Sequence, residues 1–201
     1  MFKSTRKSDN NLQKKTGQAY SGLKAKLSVM DVEIKSPKAN NEIGAGLREM
    51  LENALKSSNR FMMVEPKASV PASATPDLII TAVLKDFEPQ VSGGNAGIGG
   101  GGGAASGILG GLLGTSPTNA YMALEIKIVN TATSEVLSST LVQGQASEGA
   151  AGTKAASLKN LTLGSGLSGY TNTPMEKAIR ICIVEAVRYI SQTIPANYYK
   201  Y

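Results

Sequence analysis

The sequence predicts an α/β (α+β) fold: a layered sheet with two main helices, broken by two glycine-rich inserts. Three observations predict it. Alternating and β-branched segments recur between turn-forming stretches, as strands do, and two amphipathic segments carry helix-start signals. Glycine, moreover, is concentrated: twelve of the chain's 22 glycines fall between Gly93 and Gly114, with Ile98, Ile108, Leu109, Leu112 and Leu113 spaced among them. A plain flexible linker would carry serine and charge in place of those aliphatics.

The elements follow in order. LSVMDVEI at 27–34 alternates like a half-buried strand. Residues 42–57 place Ile43, Leu47, Met50, Leu51 and Ala54 at helical spacing, with Asn40 or Asn41 as the N-cap. A short apolar strand is expected at 61–65, then a Pro/Ser/Ala-rich loop at 67–76. LIITAVLKDF at 78–87 is apolar almost throughout, which suits a strand covered on both faces. Residues 121–129 alternate cleanly, with Met122, Leu124, Ile126 and Ile128 facing one way and Glu125 and Lys127 the other. NTATSE is turn chemistry, so EVLSSTLVQ returns as the partner of a hairpin. The last helix is the best signalled: Thr173-Pro174-Met175-Glu176 is a capping box with proline at the first helical position, and Pro195 stops the apolar stripe that follows.

The totals bound the function. A chain of 201 residues has room for one domain and its accessory segments. Seven basic residues against Asp9 within residues 1–26 account for the whole net charge of +6, so the rest is neutral. That basic stretch reads as a solvated, disordered tail. Histidine is absent and Cys182 is the single cysteine, which removes Ser/His/Asp and Cys/His catalysis, thiolate clusters and internal disulfides. Cys182 lies on the apolar stripe of the last helix and reads as a packing residue. The GxGxxG at Gly97, Gly99 and Gly102 belongs to a polyglycine run with no helix to follow it, so it predicts no dinucleotide site. Carboxylates show no catalytic spacing. An enzyme, a metal and a cofactor are therefore not expected, and a neutral folded part points away from nucleic acid.

The blocks DLIITAVLKDFEPQVSGG, ALEIKIVNTATSEVLSS and GYTNTPMEKAIRICIVEAVRYI, in this order, resemble the curli production assembly/transport family, CsgG, and its holdfast-anchoring relatives. The similarity runs over roughly residues 27–194. It implies one CsgG-like domain there, between the tail at 1–26 and a C-terminal tail at 195–201, with inserts at 90–119 and 143–169. It also implies a homo-oligomeric ring in the periplasm, whose inserts form β-hairpins that neighbouring copies close into one outer-membrane barrel for exported or anchored protein subunits. Both inserts are long enough for two tilted strands of about 9–11 residues, and such hairpins could exist in lipid only as a closed barrel. On that basis Ile98, Ile108, Leu112, Leu161, Leu163 and Leu167 are candidate membrane-hairpin positions. The family's pore constriction lies in the loop after the first strand, where Asn40 and Asn41 are the candidates here. That loop has no aromatic residue, and the sequence shows neither a signal peptide nor a lipobox cysteine. The alternative implied is a non-pore structural ring or scaffold of an envelope complex.

Overall fold

The computed structural model describes residues 21–65, 75–91, 119–147 and 161–201. One mixed sheet is formed by β1 (Ala25–Val29), β2 (Glu33–Ile34), β3 (Phe61–Met63), β4 (Leu78–Val91), β5 (Asn119–Asn130) and β6 (Val136–Ser147). The strand order is β3-β1-β4-β5-β6, with β2 also paired to β4. The left half is parallel and the right half is an antiparallel meander. Helix α1 (Asn41–Ser57) makes the crossover that the parallel half requires. Helix α2 (Pro174–Thr193) closes the chain over β5 and β6.

Alternation decides which side chains meet the helices. Leu27, Leu78, Ile80, Leu84, Met122, Leu124 and Ile126 point into one core with Leu47, Met50, Leu51, Ile179 and Ile183. Both helices therefore share one face of the sheet. On the other face Lys85 and Lys127 hold Glu125 between them at 2.8 and 3.1 Å. The hydrogen bond from Lys85 keeps the Glu125 carboxyl below its usual range. That second face is not bare, since Ser28, Val83 and Ala123 are buried there.

Several expected boundaries shift for identifiable reasons. The strand expected at 27–34 is two strands, because the chain leaves the ladder at Met30–Val32, where Arg48 donates to the Val29 carbonyl (3.1 Å) and to Asp31 (2.9 Å). The strand at 78–87 continues to Val91, with irregularities at Leu84/Asp86 and at Glu88/Val91, the second of which accommodates Pro89 in the ladder. The stretches assigned to tails also differ. β1 already begins at Ala25, within the 1–26 segment, and the C-terminal residues are docked. Lys200 and Tyr201 donate their backbone N–H groups to the Lys24 carbonyl (3.1 Å each), Tyr198 accepts from Asn130 Nδ2 (2.9 Å), and Tyr199 stacks obliquely on Phe61. Residues 1–20 lie outside the described residues.

Sheet and helix approach closely at Gly144 on β6. A Cβ built there would stand 1.9 Å from the Ala178 carbonyl oxygen of α2, so only glycine lets helix and strand approach this closely. Gly144→Ala is expected to cost about 2–3 kcal/mol, the upper range for overpacking. Thermal and urea unfolding of the variant measure it; an unchanged midpoint would place α2 further from β6.

Candidate functional site

The inserts leave the fold side by side. Val91 at the end of β4 is paired with Asn119 at the start of β5, and Asn119 is paired in turn with Ser147 at the end of β6. Three strand ends thus stand at one level of the sheet, and both glycine-rich segments depart from that level.

The loop that carries Asn40 and Asn41 lies at the same end. Lys35 and Ser36 donate their N–H groups to the Leu84 carbonyl (2.9 and 3.3 Å), and Lys38 is ion-paired with Glu88. Asn40 itself is the N-cap of α1: its Oδ1 accepts from the Ile43 N–H at 3.0 Å. Asn41 is exposed at the first position of that helix. Asn40 therefore already has a local structural task.

The chain returns from the second insert as a strap across α1. Leu161 and Leu163 are half-buried against the core, and Leu167 is completely buried. The return is a short 3-10 turn, Ser165–Tyr170, and no strand is present there. The strap is held at several points. Arg180 donates to the Leu161 carbonyl, Ser165 donates its N–H and hydroxyl to Glu49 (2.9 and 3.2 Å), and Tyr170 meets Phe87 edge-on with centroids 5.3 Å apart. Gly166 lies so close to α1 that a Cβ would be 1.8 Å from the Glu42 carbonyl oxygen. The alternation of leucine with small polar residues, which reads as a lipid-facing strand, is thus used in this chain to seat a strap on the core. Ile98, Ile108 and Leu112, and the GxGxxG glycines, lie outside the described residues.

After the strap, Asn172 takes a left-handed φ of 63° and Thr173 caps α2 by accepting from the Glu176 N–H at 3.3 Å. The return bond of the expected capping box goes one residue further back: Glu176 accepts from the Asn172 N–H at 2.6 Å, while the Thr173 N–H is satisfied by the Tyr170 carbonyl. The same glutamate is paired with Arg180, which ties the cap to the strap.

Cys182 lies at the centre of α2, fully buried, with its thiol 3.7 Å from the Val142 carbonyl. Burial pushes the thiol up to about 12, so it is a packing residue and not a nucleophile at neutral pH. Among the described residues no group of three His, Cys, Asp or Glu side chains could hold a metal ion. No described helix is long and apolar enough to cross a membrane, which says nothing about strands.

The family model described as the curli production assembly/transport component CsgG matches residues 67–200. The chain belongs to the CsgG family. Membership associates it with assembly and transport. No curated protein matches this CsgG-family chain. Solved structures with a similar fold include a hypothetical protein from Chlamydia trachomatis, with a TM-score of 0.57 and 11% identity over 87% of this chain and 99% of that one. A protein from Xanthomonas campestris follows with a TM-score of 0.50 and 12% identity over 86% of each chain. The PelC dodecamer from Paraburkholderia phytofirmans has a TM-score of 0.45 and 8% identity over 84% of this chain and 92% of that one. At these identities the likeness to the first two is one of fold.

Two expectations about these residues can be measured. Asn40→Ala is expected to cost about 1 kcal/mol of stability while Asn40→Ser or Asn40→Asp costs little, as for a helix cap; urea unfolding checks it, and equal stability of all three would free Asn40 for another role. The buried thiol makes the second. The folded chain keeps the Cys182 proton up to about pH 12, whereas an unfolded thiol loses it at the ordinary value of about 9. The folded state then binds more protons between those values, so stability falls as pH rises from about 9 to about 12. Cys182→Ala removes this part of the alkaline slope in pH-dependent unfolding.

Proposed function

We propose that this CsgG-family chain is a subunit of an oligomeric ring in the cell envelope, a component of an assembly or secretion apparatus. The observation that carries it is the common exit level of the inserts, Val91 beside Asn119 beside Ser147. A ribbon that continues β4 and β5 beyond this level presents main-chain groups on both its edges. Those groups need partners, and a sister copy with the same geometry offers them in a heterologous contact that closes as a ring.

A finer reading, an outer-membrane pore lined by both inserts, meets a length constraint. The first insert has 27 residues between Val91 and Asn119, enough for two crossing strands. The second has 13 residues between Ser147 and Leu161, where the strap begins. Two crossing strands need at least about 18. A pore would therefore require residues 161–169 to leave the core and expose Leu167. The lengths favour a ring whose inserts meet neighbouring copies and partner proteins.

Purification of the full chain with and without detergent, followed by electron microscopy and planar-bilayer recording, tests both readings. Closed rings without channel conductance are the expected result. Discrete conductance steps would establish the pore, and a monomer under both conditions would end the ring proposal.

A further inference from the structure

β6 is an edge strand with an unusual exposure. Among the described residues no strand pairs with it on the side away from β5. Its 12 residues, VLSSTLVQGQAS, include no charge and no proline, although natural edges are ordinarily blunted by one or the other. Val136 and Leu141 are 53% and 48% exposed. Along this edge runs a groove of about 280 Å³, floored by Thr140 and Val142 and walled by Glu185, Arg188, Tyr189 and Gln192 of α2.

The position of α2 decides what can occupy the groove. Three contacts place the helix directly over the strand: Ala178 on Gly144, Cys182 on Val142, and Tyr189 hydrogen-bonded to Ser138. A helix about 10–12 Å wide above a strand thereby roofs one further strand position, about 4.8 Å outward. If a second copy added its own β6 edge there, the two α2 helices would stand side by side at about that same 4.8 Å, and packed helices need about 8–10 Å. The roof admits a lone strand and excludes a strand that brings its own helix to the same face. Charge narrows the choice further. Glu185 and Arg188 are paired with each other, and β6 is neutral, so the groove offers a charged occupant no complementary charge that is not already paired.

We propose that the β6 edge and the α2 side chains beside it form a docking groove for a lone extended segment of a partner polypeptide, uncharged over its central residues, which joins the sheet by β-augmentation. Main-chain hydrogen bonds to β6 supply affinity. Alternate side chains of the segment point into the groove against Tyr189 or outward beside Leu141. The inference does not rest on the ring, since the observations behind it come from β6 and α2 alone.

The test uses the full chain and a fluorescein-labelled, capped peptide with a central alternation of threonine and valine, set against the same peptide interrupted by proline. Polarisation is expected to show binding of the first and not the second. Thr140→Pro and Leu141→Pro form a pair: successive residues of an edge strand direct their N–H groups alternately inward and outward, so one of the two removes an edge donor and leaves the β5 ladder intact. That variant, and Gln192→Trp, which fills the groove from an exposed helix position, are expected to weaken binding at least about tenfold, or 1.4 kcal/mol. Circular dichroism reports which variants remain folded. Hydrogen exchange of the outward-pointing β6 amides, those not bonded to β5, is expected to be fast in the free chain and slowed by peptide. Absence of peptide binding, or undiminished binding by Gln192→Trp, overturns the proposal. So does protection of the β6 edge without peptide: at all protein concentrations it would mean the chain's own segment, and on concentration it would mean a second copy.

Discussion

The seating of α2 on β6 is the constraint on which the rest of the molecule depends. Gly144 has no side chain, so the backbone of Ala178 can approach the strand within the thickness of a single missing Cβ. That contact fixes the rotation of the helix. Ile179, Cys182, Ile183 and Ile190 then face the core, and Glu185, Arg188 and Gln192 are carried past the sheet edge to wall the groove. It also places Arg180 where it can hold the Leu161 carbonyl. A helix displaced outward would loosen the core, the strap and the groove together, because interiors at crystal-like density do not absorb such shifts locally.

The second consequence concerns how the inserts relate to the body. The antiparallel meander carries β4, β5 and β6 to one level, and the strap from Leu161 to Tyr170 brings the chain back across α1. Insert and strap are different in kind. The strap is pinned by Leu167, by Glu49 and by the contact of Tyr170 with Phe87, so it belongs to the folded core. This division leaves a long first insert and a short second one, an asymmetry that bears directly on whether a two-hairpin barrel is available to this member of the family.

Much of the fold was legible in the sequence because the signals were local. The capping box at Thr173, the helical stripe from Ile43 to Ala54, and the alternation from Tyr121 to Val129 each lie within one element and depend on its period alone. A cap at Asn40 or Asn41 was legible for the same reason, whereas the loop's nearness to the inserts depends on the pairing of Lys38 with Glu88, 50 residues away. The leucines at 161, 163 and 167 show the opposite case: their alternation is real, but a period of two does not say which surface the leucines will cover.

The sequence by itself determined the element types, the neutrality of the folded part, the absence of histidine chemistry and the place of the chain in the CsgG family, since each follows from composition, period or the order of blocks. Only the tertiary structure decided that β1 begins within the basic stretch, that the C-terminal residues are docked beside Lys24, that a strap brings the chain back from the second insert, and that β6 is, among the described residues, a roofed, uncharged edge. Those facts rest on contacts between residues far apart in the chain, and a glycine such as Gly144 or Gly166 carries no mark of which backbone will come to lie against it.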